Sequence, residues 1–191
     1  MTIDVAGVPG RLMEAYERVP ILFDVRSVLV ADRSSAGAPF VLRERSIEPY
    51  VKDYDAISDR PRDWPVRFDT SRWAMFLAGS VTEPLGGAAV AVRTPGLDML
   101  EGRDDLAVLW DIRVAPGQRR RGVGRGLLDA AEAWARGQGC VELKVETQNI
   151  NVAACRFYAS VGCELRTVQE NAYPACPGEA QFLWYKPLAI R

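Results

Sequence analysis

The chain of 191 residues contains no histidine. That removes the side chain that titrates nearest neutral pH and the commonest metal ligand. A Ser-His or Cys-His nucleophile pair is excluded in this chain. Its four cysteines, Cys140, Cys155, Cys163 and Cys176, form no C-x-x-C pair. No metal site is expected from such spacing. The opening residues, MTIDVAGVPGRLMEAY, lack the apolar core of a signal peptide. No apolar run approaches the roughly 20 residues that a membrane helix needs. The expectation is a protein of the reducing cytoplasm, away from membranes, with cysteines as small core residues. An excess of one charge sign is missing too: 24 Lys and Arg face 25 Asp and Glu, a formal net charge of −1. No overall positive field attracts nucleic acid, and the basic stretch lacks interleaved aromatics for stacking on bases.

What remains is an ordinary globular composition, 48% hydrophobic and 26% charged, enough for one domain over 1–191. Residues 21–32, rich in β-branched side chains, predict a strand. Residues 40–47 predict its hairpin partner across the turn-rich ADRSSAGAP. The segment 48–69, broken by Pro61 and Pro65, predicts a short helix and a long loop. Residues 71–80 and 83–94 read as a second hairpin, and LAVLWDIRVAP (106–116) as the strongest strand. Val123, Leu127, Ala131, Trp134 and Ala135 share one face of a helix over 122–139, which Gly137 and Gly139 end. A strand over 140–147, a helix over 151–162 and two closing strands follow. The order implies a mixed α/β sheet with a crossover helix.

The positive charge is concentrated in RRRGVGRG, residues 119–126. This loop follows the strongest strand and opens a helix. A helix's first turn offers unpaired N–H groups and a partial positive charge, hence a site for an anion. Glycine lets a phosphate approach the backbone. A Walker A loop needs a following Lys-Ser or Lys-Thr, which is missing. The dinucleotide pattern G-x-G-x-x-G fails at Leu127.

The R-x-x-G-x-G from Arg119 to Gly124 lies between LWDIRVAP and ETQNINVAACRFYASVGCEL. That arrangement resembles the GNAT superfamily of N-acetyltransferases. The resemblance implies a mostly antiparallel twisted sheet, with helices flanking a splayed central pair of parallel strands. It also implies acetyl-CoA as co-substrate. Its diphosphate would lie on Arg119, Arg120, Arg121, Gly122, Val123 and Gly124. Its pantetheine would meet the main chain of Ile112, Arg113 and Val114, where the central strand ends in a bulge. Residues 101–191 would form this acetyl-CoA-binding core. Residues 1–100 would supply the N-terminal strands, a helix and the acceptor-side loop. Asn151, Ala154, Tyr158 and Gly162 fit the family's N-x-x-A-x-x-x-Y helix. KDYD (52–55), LWDIRV, ETQNINVAACRFY and LWYK (183–186) are similar to streptothricin acetyltransferases.

The chemistry suggests roles. An alkyl ammonium of pKa ~10.4 is neutral in only about one molecule in 10³ at pH 7, so an amine acceptor needs help in losing its proton. Tyr158 is the candidate proton donor to the departing sulfur, because a phenol is protonated at neutral pH and the resemblance implies that the matching tyrosine lies near that atom. Its plain alternative is a core tyrosine. Asp111, in an apolar strand, is a candidate base, with an equal alternative as the partner of an arginine. Water, alone or through Glu146, could carry the proton instead. Asn151 is a candidate pantetheine ligand, a helix cap, or both. For a cationic acceptor, Glu48, Asp53, Tyr54, Asp55, Asp59 and Trp64 lie in one segment, with Trp110, Glu146 and Glu179 elsewhere. Asp53, Trp110 and Glu146 are the substrate-binding candidates. The leading expectation is N-acetylation of a small cationic amine, with a homodimer as an open question. The alternatives are a protein lysine or N-terminal amine as acceptor, or an acyl-CoA-binding module without catalysis.

Overall fold

The computed structural model describes residues 3–7 and 11–188, with side chains from residue 12 onward. The chain divides into two compact units. One contains Asp53–Leu143 with the segments before Phe23 and after Pro187. The other contains Phe23–Lys52 and Lys144–Pro187.

The first unit is built on strands β1 (Ile3–Gly7), β4 (Trp73–Gly79), β5 (Pro84–Val92) and β6 (Leu106–Val114), in the order β1-β4-β5-β6. All three pairings are antiparallel. Helix α1 (Arg11–Glu17) packs on β4 and β5, and α3 (Val123–Gly137) packs on β4–β6. Strands β4 and β5 are buried along nearly their whole length, as expected when both faces are covered. Helix α3 buries Val123, Leu127, Leu128, Ala131 and Ala135, the stripe that its 3.6-residue period predicts. Buried Glu132 is answered one turn later by Arg136 at 2.9 Å.

Two glycines set how closely these layers approach. Gly86 pairs in register with Val114, and Gly87 with Arg113. Successive strand residues face opposite sides. A Cβ on Gly87 would lie 2.5 Å from two ring carbons of Tyr16. One on Gly86 would lie 2.8 Å from the Arg113 carbonyl and 3.0 Å from Val123 Cγ1. The pair therefore admits α1 on one face and the start of α3 on the other.

The second unit holds the hairpin β2 (Phe23–Asp32) and β3 (Val41–Lys52), and the strands β7 (Glu142–Gln148), β9 (Gln181–Pro187) and β8 (Glu164–Gln169) in that lateral order. Strand β7 starts in the first unit. Helix α4 (Val152–Ser160) packs on β2 and β8. The mixed α/β class is as expected.

Two parts differ from the sequence reading. Residues 48–52 extend β3 where a helix was expected. Val25 pairs with Tyr50 and Ser27 with Ser46, so β3 carries two more residues than β2 in that interval. Pro49 lies in this bulge, where its missing N–H breaks no ladder bond. After Lys52, two three-residue turns (Tyr54–Ala56 and Pro61–Asp63) and the single-turn helix α2 (Trp64–Arg67) replace the long loop. Elements β1 and α1 had no counterpart in the sequence reading.

Candidate active site

The glycine loop keeps the position the sequence gives it, between β6 and α3. Arg120 (φ 59°) and Gly122 (φ 84°) both adopt the left-handed conformation. Gly122 caps α3 without any side-chain hydrogen bond. The first bond of the helix runs from Gly126 N–H to Gly122 O, 3.0 Å. The amides of Val123, Gly124 and Arg125 thus have no acceptor within the helix. A Cβ at Gly122 would meet nothing within 4 Å, so the approach over the cap is open. This is the donor set that a diphosphate requires. Arg119 is used differently from its neighbours. Its guanidinium donates to Val114 O at 3.1 Å and Leu22 O at 2.7 Å, fastening the loop to β6. Arg120 and Arg121 are exposed.

Strand β6 changes its side-chain phase at Trp110. Leu109 pairs with Val90 and Asp111 with Ala89, leaving Trp110 as the extra residue of a β-bulge. This strand thus carries a bulge, at Trp110, upstream of Ile112–Val114 rather than at the strand's end where it was expected. Trp110, half-buried, packs against Phe68 (5.3 Å between ring centroids) and Trp73 (5.5 Å). These rings extend a core containing Tyr16, Trp64 and Met75.

Beyond the bulge, Asp111 and Arg113 are two residues apart and share a face. Asp111 Oδ2 accepts from Arg113 Nε at 3.0 Å and Nη2 at 2.5 Å. The same guanidinium reaches Asp55 at 3.0 and 3.3 Å and the Val19 carbonyl at 3.3 Å. It lies 5.1 Å from the Tyr16 ring centroid, close enough for a cation–π contact. The Arg113 side chain is 2% exposed, Asp111 10% and Asp55 24%. Burial pushes the Asp111 carboxyl up, partly countered by Arg113. Burial also raises the Tyr16 phenol, and the Asp111 charge adds to the effect. The Tyr16 hydroxyl lies beside both the Asp111 carboxylate and the Arg113 guanidinium. With both carboxylates ionised, two negative charges face one positive charge. Asp111 is thus the partner of an arginine, one of the two roles its sequence position allows. The sequence reading assigned only the main chain of Arg113 and overlooked Tyr16. Asp-x-Arg across two strand positions was the available signal for the pair.

Asp53 Oδ1 accepts from Asp55 N–H at 3.0 Å and caps the turn at Tyr54–Ala56. Asp53 therefore shapes the turn that presents Asp55 to Arg113.

In the second unit, Asn151 caps α4 by accepting from Ala154 N–H at 3.1 Å. Tyr158 is buried on α4, 6.4 Å from Trp184 and 5.4 Å from Phe157 between ring centroids. Glu146 on β7 accepts from the Tyr173 hydroxyl at 2.7 Å and from Gln181 Nε2 at 2.6 Å. Gln148 Nε2 donates to the same hydroxyl at 3.1 Å. Burial first, and the Glu146 charge second, hold the Tyr173 phenol protonated well above its ordinary range. Tyr173 and Gln181 were missed because a turn and a strand end separate them from Glu146 in sequence. Among the described residues, no group of three or more His, Cys, Asp and Glu side chains is placed to hold a metal. No described helix is long and apolar enough to cross a membrane.

The chain is similar to known proteins. The chain is 31% identical to a streptothricin acetyltransferase of Escherichia coli over 166 residues, 85% of this chain and 84% of that protein. It is 35% identical to an aminoglycoside N(6')-acetyltransferase type 1 of Klebsiella aerogenes, over 48% of this chain and 68% of that one. The crystal structure of nourseothricin acetyltransferase matches 99% of the chain and all of its own, with a TM-score of 0.73 and 24% identity. That of a putative streptothricin acetyltransferase from Bacillus anthracis, in complex with acetyl coenzyme A, matches 97% of this chain and 99% of its own, with a TM-score of 0.74 and 19% identity. These structural likenesses establish the fold. The family model described as Acetyltransferase (GNAT) family matches residues 40–163, so the chain belongs to the GNAT family and is an acetyl-CoA-dependent N-acetyltransferase.

Proposed function

We propose that the acceptor is a primary amine on a small cationic molecule of the streptothricin kind. The observation carrying this reading is the 31% identity to a streptothricin acetyltransferase over 85% of the chain. It is supported by the buried Asp55–Arg113–Asp111 group, whose surplus negative charge favours a cation beside the partly exposed Asp55. Trp110, half-buried next to Asp111, offers an aromatic face to the same charge type.

In this reading the Val123 and Gly124 amides, with Arg120 and Arg121, hold the diphosphate of acetyl-CoA. The main chain of Ile112, Arg113 and Val114 holds its pantetheine by strand-like hydrogen bonds. Asn151 keeps its capping bond and uses its amide N–H on the same ligand. Acetyl-CoA, when bound, supplies a thioester with a thiolate leaving group. The Tyr158 hydroxyl gives its proton to that sulfur. Asp111 positions Arg113 and does not take the amine proton. Protonating Asp111 would leave a guanidinium with 2% exposure with Asp55 as its remaining carboxylate and the Val19 carbonyl as a neutral acceptor, and removing one partner of a buried pair costs about 3–5 kcal/mol. The amine proton leaves through water, with Asp53 and Glu146 as the carboxylates that attract the acceptor. Neutralising an ammonium at pH 7 requires about 4–5 kcal/mol, within reach of desolvation and a positioned acceptor.

A second reading is a protein N-terminal amine as acceptor. It rests on 38% identity to a [ribosomal protein bS18]-alanine N-acetyltransferase of Salmonella typhimurium, over 39% of this chain and 50% of that one. Release of free thiol from acetyl-CoA, measured against streptothricin, polyamines and an alanine-terminated peptide, tests both. The first reading expects streptothricin or a polyamine to exceed the peptide by at least about tenfold in kcat/KM, or about 1.4 kcal/mol. A preference for the peptide would overturn it.

A further inference from the structure

Three of the four cysteines, Cys140, Cys155 and Cys163, are buried, and Cys176 is only half-buried. Burial pushes the Cys155 thiol up to about 12 and raises the Cys140 thiol as well. Such thiols are poor targets for oxidants. Cys176 differs in its neighbour: Lys52 Nζ lies 3.3 Å from its Sγ. The same Nζ lies 2.5 Å from Glu179 Oε1, and these two side chains are 12% and 8% exposed. The arrangement is held from both sides. Lys52 is the last residue of β3. Cys176 N–H donates to Tyr173 O at 2.9 Å, and Glu179 N–H to Cys176 O at 3.1 Å. These successive turns set sulfur and carboxylate on one nitrogen. All belong to the second unit.

We propose that Lys52 and Cys176 form an oxidative cross-linking pair, in which a peroxide converts the thiol–ammonium contact into a covalent sulfur–nitrogen bond. The Cys176 sulfur attacks the peroxide O–O bond. An S–O bond forms and the O–O bond breaks. Sulfur is oxidised by two electrons to the sulfenic acid, and the departing oxygen leaves as water with the thiol proton. The Lys52 ammonium then passes a proton to Glu179, and its lone pair attacks sulfur. An S–N bond forms and the S–O bond breaks. The hydroxide takes the second nitrogen proton and leaves as water. Glu179 returns its proton to solvent. One thiol, one ammonium and one hydrogen peroxide give one sulfenamide, two waters and one proton. A sulfenic acid elsewhere would persist or oxidise further; here a nitrogen already touches the sulfur.

The test treats the full chain with a few-fold molar excess of hydrogen peroxide, then applies mass spectrometry to the intact protein and to a non-reducing tryptic digest. The expected result is a species about 2 Da lighter. Trypsin no longer cuts after Lys52, and the peptide bearing Cys176 is joined to the uncut one. Dithiothreitol should reverse both changes. Cys176→Ser should form no link. Lys52→Arg keeps a cation against Glu179 yet should stop at the sulfenic acid, trapped by a 1,3-dione. The proposal is overturned if wild-type Cys176 gains oxygen while cleavage after Lys52 stays complete. It is also overturned if the link survives Cys176→Ser. The wild-type result alone decides, so poor folding of a variant does not shield the proposal.

Discussion

Replacing Arg113 with methionine would remove a 2%-exposed guanidinium and keep most of the side-chain volume. It would leave Asp111 and Asp55 facing each other without their shared cation. Stranding one charge of a buried pair costs about 3–5 kcal/mol. In a domain of this size each kcal/mol shifts Tm by about 2–4 °C, so Tm at neutral pH should fall by about 6–20 °C. The loss must also depend on pH. The Asp111 carboxyl is already raised in the wild type, mainly by burial, and Arg113 is the main influence lowering it. Without Arg113 it rises further above its unfolded value. For a carboxyl raised on folding, the favourable contribution is present below the unfolded pKa and is lost as pH rises through the folded pKa. The deficit of the variant relative to wild type should therefore shrink as pH falls from 8 to 5, by up to about 1.4 kcal/mol per unit within the titration window. Adding Asp111→Asn should recover part of the loss by removing the stranded charge. Urea unfolding at pH 5.5, 6.5 and 7.5 measures all three proteins. An identical deficit at every pH, or a double variant weaker than the sum of the singles, would show that lost packing dominates.

The other predictions concern single contacts. Tyr158→Phe should lower kcat about 10²-fold, the low end for loss of a general acid, with the KM for acetyl-CoA within about twofold; an unchanged kcat removes the hydroxyl from the reaction. Gly122→Val forces a β-branched residue to φ 84° and sets methyl groups over the open amides; it should destabilise by about 1–3 kcal/mol and weaken coenzyme binding, read by chemical denaturation and calorimetry. Gly87→Ala places a methyl 2.5 Å from the Tyr16 ring and should lower stability by about 1–3 kcal/mol; pairing it with Tyr16→Leu should reduce that penalty, and strict additivity would place the clash elsewhere.

The parts legible in the sequence were those fixed by local periodicity. The apolar run of β6, the helical stripe of α3 and the glycine pattern at 122 and 124 need only neighbouring residues to be read. The N-x-x-A-x-x-x-Y helix belongs with them. What escaped depends on distant partners. Helix α1 is seven residues long, too short for intrinsic stability, and persists because Tyr16 fills the space above Gly87. Strand β3 continues past Pro49 because a bulge absorbs the missing N–H. The Asp111–Arg113 pair is local enough to read as Asp-x-Arg, whereas the other partners of Arg113, Asp55 and Val19, lie 58 and 94 positions away. Among the site candidates, the cap geometry of Asn151 and the open amides after Gly122 match what their residue types suggested. Arg119 instead bonds two carbonyls. Glu146 is held by Tyr173 and Gln181, a network no spacing rule announces.

Titration calorimetry of the protein with acetyl-CoA at two salt concentrations bears most directly on the role of the α3 amides. The account predicts saturable heat, affinity that falls from 50 to 200 mM salt as charge–phosphate attraction is screened, and at least about tenfold weaker binding after Gly122→Val. Full-affinity binding by that variant, or no heat from the wild type, would contradict it.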